Sequence, residues 1–173
     1  MKAIHLILTL AAAAMLSTAC GVLSSTTPEQ AAEDARVEKL VKQRLADRKY
    51  QIDIDYMQPL RGAGQVVTTP YSITVNGKHL VSYLPYMGVA YSVPYGGGKG
   101  LNFESEIDEY VERRKGERTL IEFVTDNGED YILYQLTVFE NGRTDVHVQS
   151  RNRESIDFRG TLDPNFDPDA KEE

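Results

Sequence analysis

The chain has 173 residues, of which 41% are hydrophobic and 26% charged, and a formal net charge of −7. This composition is typical of one globular domain, since it is too apolar for disorder and the chain is too short for two full-sized domains. The acidic balance excludes a basic nucleic-acid interface and electrostatic docking on anionic lipid. Because the chain has one cysteine, an intramolecular disulfide is also excluded.

The N-terminus is typical of an export signal over residues 1–19. Lys2 supplies a positive charge before the apolar stretch 4–15. That stretch fits a signal-peptide core but is shorter than the roughly 20 residues needed to span a bilayer. Small residues ending in Ala19 lead directly to Cys20, so cleavage is predicted between these two residues.

A lone cysteine in this position resembles the lipid attachment site of bacterial lipoproteins. In such proteins the thiol is diacylated and the new N-terminus is acylated, which anchors the protein firmly without a membrane-spanning helix. This chain departs from the usual pattern, because Ser17 stands three residues before Cys20 where an aliphatic residue is common. The alternative is an ordinary secretory signal that leaves Cys20 as a free thiol.

Residues 20–27 are predicted to form a short lipidated tether of mostly small and polar residues. Some Gram-negative lipoproteins carry an acidic run directly behind the cysteine as a surface-export tag. No such run follows Cys20, so we expect a protein that is lipid-anchored in the outer membrane to face the periplasm.

A helix is predicted over residues 28–48, with Thr27 as N-cap and Pro28 at the first helical position. Its apolar stripe comprises Ala32, Val37, Leu40, Val41 and Leu45. We expect this stripe to cover a sheet rather than to bind a partner.

From Tyr50 onward the hydrophobic period changes to two, and Tyr50, Ile52, Ile54 and Tyr56 share one face of a predicted strand. Further strands are predicted at 71–75, 78–84, 87–93, 107–114, 119–125, 130–139, 144–150 and 155–162. Asn-Gly pairs at 76–77 and 141–142 indicate hairpin turns.

This pattern predicts a mainly β domain over residues 28–163. We expect an antiparallel sandwich or barrel-like sheet of about eight or more strands with one N-terminal amphipathic helix. Residues 164–173 are rich in acids and proline and are predicted to form a disordered tail.

The catalytic inventory is thin. Once the signal is removed, the histidines are His79 and His147, each in a predicted strand with no carboxylate or histidine at metal-ligand spacing. We therefore predict no catalytic residue, no metal site and no cofactor. A hydrolase would need a carboxylate pair, for which the candidates are Asp53, Asp55, Glu104 and Glu106. A solvated strand face is the simpler interpretation of these acids.

Tyrosines concentrate in one segment, where Tyr83, Tyr86, Tyr91 and Tyr95 fall within thirteen residues among prolines and glycines. Tyrosine combines an apolar ring with a polar tip, which suits contact with a glycan or a peptide. Together with Lys99, these residues form the predicted binding surface. Packing at the edge of the core is the alternative role.

This segment also carries a family resemblance. Residues 83–92 and 94–103, together with 56–62 and 148–153, resemble the domain of unknown function 4251 family, over roughly residues 30–163. Members look like lipoproteins or secreted proteins of anaerobic Gram-negative gut bacteria, so the resemblance implies a cell-envelope context and no particular activity.

The sequence thus predicts a non-enzymatic envelope lipoprotein that meets the membrane through the lipid on Cys20. It would bind an unknown protein or polysaccharide partner and no nucleic acid. The alternatives are a glycan or cell-wall hydrolase with a carboxylate pair, and a structural component of an outer-membrane assembly.

Overall fold

The computed structural model describes residues 27–92, 95 and 98–168. The predicted signal and Cys20 therefore lie outside the described residues. The described chain forms one helix, α1 (Pro28–Asp47), and eight strands. The strands are β1 (Lys49–Pro59), β2 (Gln65–Asn76), β3 (His79–Tyr83), β4 (Asn102–Lys115), β5 (Arg118–Asp126), β6 (Tyr131–Phe139), β7 (Arg143–Ser150) and β8 (Ile156–Leu162).

The sheet is a closed barrel. Its strands follow one another in sequence order, each neighbouring pair is antiparallel, and β8 returns to pair with β1. The predicted mainly β fold with one N-terminal helix is confirmed, and closure selects the barrel over the sandwich. An up-and-down order of this kind places alternate connections at opposite ends of the barrel.

α1 begins at Pro28 because Thr27 caps it, as predicted. The Thr27 hydroxyl accepts the N–H of Gln30 at 3.3 Å, and the Gln30 side-chain oxygen accepts the N–H of Thr27 at 3.0 Å. This reciprocal capping box satisfies backbone donors that have no partner within the helix.

The second half of α1 covers one end of the barrel. Val41 and Leu45 are its buried residues and join the core cluster formed by the strands. Lys42 pairs with Glu140 at 3.2 Å, next to the β6–β7 turn. The buried part of the apolar stripe therefore covers a barrel end, which we call the helix end, whereas Ala32 at the start of the stripe is exposed. The longer connections lie at the opposite end, the loop end, and comprise residues 60–64, the described part of 84–101, 127–130 and 151–155.

The barrel interior is a packed core. Alternate residues of every strand point inward, and the largest fully buried side chains include Tyr50, Tyr134 and Phe123. The Phe123 ring stacks on Tyr134 at 4.9 Å and on Tyr110 at 6.1 Å between centroids. The residues that face outward are left to form the barrel's external surface.

Two predictions about the strands are wrong. Tyr56 does not share a face with Ile52 and Ile54, because a β-bulge between Ile54 and Tyr56 turns the tyrosine outward. The predicted strand at 87–93 is also absent from its described part, residues 87–92, where Ala90 makes one isolated bridge with Arg153. This segment is held by loop contacts instead.

The described start of the predicted disordered tail lies in turns. Residues 164–168 follow β8, and the carbonyl oxygen of Pro164 accepts a hydrogen bond from Arg44 of α1 at 3.3 Å. Within the described part of the chain, no helix combines the length and apolar character needed to cross a membrane.

Candidate functional site

The outer surface of the barrel carries an open groove with a volume of about 610 Å³. It extends across six neighbouring strands, from β4 through β5, β6, β7 and β8 to β1. Its lining residues are Tyr56, Gln58, Val111, Arg113, Leu120, Ile121, Glu122, Gln135, Leu136, Thr137, Asp145, Val146, His147, Asp157, Phe158 and Arg159.

Twelve of these residues form two parallel rows that cross the strands, because each residue lies directly opposite the next in the strand register. The first row is Val111, Glu122, Gln135, His147, Asp157 and Gln58. The second row is Arg113, Leu120, Thr137, Asp145, Arg159 and Tyr56. Between the rows, Ile121, Leu136, Val146 and Phe158 turn their side chains into the core, so their backbone forms the floor.

Hydrogen bonds hold the first row in place. Gln135 donates from its side-chain amide to Glu122 at 2.8 Å. His147 Nδ1 and Asp157 Oδ1 lie 2.5 Å apart across β7 and β8. These contacts fix two polar pairs side by side on a rigid sheet, and each pair keeps further donor or acceptor capacity for a ligand.

Tyr56 and Arg159 form the aromatic part of the second row. The Arg159 guanidinium lies over the Tyr56 ring, 4.4 Å from its centroid. Gly64 leaves room for this arrangement, because a Cβ at that position would lie 2.0 Å from the Tyr56 hydroxyl oxygen and 2.4 Å from the Gln58 side-chain oxygen. The β1–β2 connection thus positions Tyr56 and Gln58 at one end of the groove.

The binding surface predicted from the sequence lies elsewhere. Tyr83 is on the outer face of β3, where its ring contacts Tyr71 at 5.1 Å between centroids. Tyr91 is 66% exposed and Tyr95 is fully exposed, both in the β3–β4 connection at the loop end. Lys99 has an exposed side chain, and its backbone N–H donates to Glu129 at 2.9 Å.

Tyr86 differs from the other predicted surface tyrosines, because its hydroxyl serves the packing of the loop end. It donates to the carbonyl oxygens of Val89 at 3.0 Å and Glu154 at 3.2 Å. Burial and the neighbouring Glu154 carboxylate raise the pKa of Tyr86. The four tyrosines and Lys99 are therefore not brought together into one surface by the described contacts.

A buried carboxylate holds the same segment. Glu154, whose side chain is 2% exposed, accepts the N–H of Val89 through Oε2 at 3.1 Å. Its Oε1 makes no hydrogen bond, but the exposed Arg61 guanidinium stands 3.1 Å away as an ion pair. Glu154 thus connects three segments of the loop end, namely the β1–β2, β3–β4 and β7–β8 connections.

The acids proposed as a hydrolytic pair do not converge. Asp53 and Asp55 are exposed on β1, whereas Glu104 and Glu106 are exposed on β4. β1 and β4 are not neighbours in the barrel. No cluster of three or more histidine, cysteine or acidic residues suited to a metal ion occurs among the residues that the structure describes.

Sequence reasoning missed the partners of both histidines. His147 contacts Asp157, and His79 Nε2 lies 3.7 Å from Glu104. Both partners are on the adjacent strand rather than at helical or motif spacing along the chain. The hairpin of β7 and β8 could be predicted from the sequence. However, its connection is too long to fix the strand register, so the residue opposite His147 could not be predicted.

Comparison with known proteins agrees with the fold. A crystal structure of a DUF4251 family protein from Bacteroides eggerthii DSM 20697 is similar with a TM-score of 0.56 and 16% sequence identity, covering 76% of this chain and 89% of that one. Among curated proteins, none matches. The model of the domain of unknown function DUF4251 matches residues 32–162, which is nearly all of the described chain. This protein therefore belongs to the DUF4251 family.

Proposed function

We propose that this chain is a non-enzymatic ligand-binding lipoprotein of the bacterial envelope. A lipid on Cys20 would anchor it in the outer membrane, facing the periplasm, and its ligand would lie in the groove on the outer surface of the barrel. The observation that carries the proposal is the pair of six-residue rows, which present fixed polar and aromatic side chains along one continuous surface.

Binding is favoured over catalysis because the carboxylates of the groove already contact neighbouring polar side chains. Glu122 and Asp157 already accept or share hydrogen bonds with Gln135 and His147. The third carboxylate of the groove lies directly opposite an arginine on the adjacent strand. Such a surface offers orientation and specificity to a ligand that lies along it.

Hydrolysis is the second candidate function, and one feature of the groove favours it. Asp145 and Asp157 are diagonal neighbours on β7 and β8. Diagonal side chains in an antiparallel pair are about 7–8 Å apart, a spacing that an inverting glycosidase could use. The experiment must therefore detect both binding and cleavage.

The anchor is tested on the chain as the cell produces it. Mass spectrometry of the purified protein should find an N-terminus at Cys20 that carries three acyl chains. If the signal is cleaved at the same bond but the Cys20 thiol is unmodified, the lipid anchor is excluded and the protein is a secreted one.

The groove is tested by NMR on the full chain in mild detergent, with a panel of neutral oligosaccharides, acidic oligosaccharides and short peptides. At least one probe should shift groove resonances, and Tyr56→Ala should weaken the binding of that probe about tenfold. Tyr131→Ala is the matched control, since Tyr131 is an exposed tyrosine under Arg151 at 4.9 Å and lies outside the groove lining. Binding that Tyr56→Ala leaves unchanged, or no binding at all, would refute the groove as the site. Cleavage of a bound probe would establish the hydrolase instead.

A further inference from the structure

We propose that the groove binds a linear, neutral oligosaccharide that lies across the strands, along the two rows. This inference rests on the proposed function and names the chemical class of its ligand. It follows from the charge distribution of the groove, from the hydrogen-bonding groups of the first row, and from the closure of the barrel.

The charges in the groove favour a neutral ligand. Two arginines and three carboxylates line it: Glu122 and Asp157 lie in the first row, and both arginines lie with Asp145 in the second. A ligand that lies along both rows therefore meets both signs of charge. Asp145 lies directly opposite Arg159, and Asp157 contacts His147. A polyanion would meet the carboxylates and a polycation would meet the arginines, so neither finds a complementary surface.

The first row suits hydroxyl groups. A hydroxyl both donates and accepts, and the row offers carboxylate acceptors, an imidazole and amides that do both. Neighbouring strands are about 4.8 Å apart, so the five polar residues of this row, from Glu122 to Gln58, repeat at that interval over roughly 19 Å. Such a length fits several linked sugar units better than a single one.

Tyr56 and Arg159 supply a flat surface at the β1 end of the groove. The guanidinium covers one face of the ring, and both residues line the groove. The C–H face of a sugar ring can pack on such a plane while its hydroxyls reach the adjacent polar groups. Loss of the Tyr56 ring should therefore weaken binding.

A peptide that lies across the groove cannot add to the sheet as a strand. At the groove residues of β5, β6, β7 and β8 each strand is paired on both sides, so the usual recognition of an extended peptide through its main chain is blocked there. Across the groove, the amides of a peptide would depend on side chains alone. An oligosaccharide has no backbone amides that require such partners.

The test is calorimetry on the full chain in mild detergent with neutral glucan, mannan and xylan hexasaccharides, the matching disaccharides, and an oligogalacturonate of equal length. At least one neutral hexasaccharide should bind more tightly than its disaccharide and with little dependence on salt. Tyr56→Ala and Gln135→Ala should each weaken it about tenfold, equivalent to roughly 1.4 kcal/mol, while Tyr131→Ala leaves it unchanged.

The outcomes separate the ligand class from the groove itself. If the oligogalacturonate, or a short peptide of the NMR panel, binds in a Tyr56-dependent way and the neutral chains do not, the groove is a binding site and the neutral oligosaccharide is the wrong class. If neutral chains bind but Tyr56→Ala and Gln135→Ala have no effect, the oligosaccharide is bound elsewhere and the groove is refuted. If none of the probes binds, the inference is overturned.

Discussion

A chain of two hydroxyl hydrogen bonds crosses the barrel interior. The fully buried Tyr134 hydroxyl donates to Ser82 Oγ at 2.9 Å, and Ser82 donates to the Leu101 carbonyl oxygen at 2.8 Å. Leu101 ends the long β3–β4 connection, so this chain ties the connection to β3 and β6. The stability of variants at Tyr134 and Ser82 tests whether these two buried hydroxyls are hydrogen-bonded to each other.

Removing the Ser82 hydroxyl and removing the Tyr134 hydroxyl should lower the free energy of unfolding by different amounts. Ser82→Ala leaves the buried Tyr134 O–H without an acceptor, which should lower the free energy of unfolding by about 2 kcal/mol. Tyr134→Phe leaves no stranded donor, because Ser82 still donates to Leu101, and should cost about 1 kcal/mol. The double variant removes both hydroxyls and strands no donor. It should therefore cost about 1–1.5 kcal/mol, less than the sum of the single variants.

Urea unfolding of the four proteins measures this coupling directly. A positive coupling of roughly 1–2 kcal/mol between the two substitutions would confirm that the hydroxyls bond to each other in the folded barrel. If the two losses simply add, or if Ser82→Ala costs no more than Tyr134→Phe, the hydroxyls have other partners. The buried hydroxyls would then not form the hydrogen-bonded chain described above.

Three further predictions concern the barrel ends. Glu154→Ala should cost about 1–3 kcal/mol in urea unfolding, because it strands the N–H of Val89, whereas Glu154→Gln should cost under about 1 kcal/mol because its amide oxygen can replace Oε2. Equal losses would contradict this role. In thermal melting, Tyr86→Phe should lower the midpoint by a few degrees and Tyr91→Ala should not, since the Tyr86 hydroxyl donates to two carbonyl oxygens of the loop end. The reverse order would make Tyr91 the packed residue. Burial raises the pKa of Tyr110 to about 12, so its contribution to stability is complete below about pH 10 and is lost as the pH rises through 12. Urea unfolding at about pH 9 and 11 should therefore show a smaller alkaline loss in Tyr110→Phe than in the wild type, and an unchanged loss would refute that assignment.

Much of the fold could be predicted because its signals are local. Thr27 and Pro28 mark the helix start through contacts within one turn. Asn76-Gly77 and Asn141-Gly142 mark tight connections, and each glycine has a positive φ that this turn requires. The period-two pattern then identifies most strands, since each strand has one buried face.

The groove could not be predicted in the same way. Its rows join six strands, so each lining residue is a neighbour of the next only through the register of the pairs. Registers between successive strands are not visible in a period-two pattern, and closure of β8 on β1 is not either. Tyr56 is an example, because the alternation of Tyr50, Ile52 and Ile54 predicts that it faces the core, whereas it faces outward and lines the groove.

The two bulges account for the position of the groove. β1 and β4 form its two sides, and each has a bulge, between Ile54 and Tyr56 and between Ile107 and Glu109. Each of these two strands lines the groove only with residues that follow its bulge: Tyr56 and Gln58 on β1, and Val111 and Arg113 on β4. A bulge reverses which alternate residues face outward and increases the local twist. Without the extra residue in β1, Tyr56 would turn into the core and the second row would end at Arg159. The bulge that misled the sequence prediction is therefore the feature that gives the groove its aromatic residue.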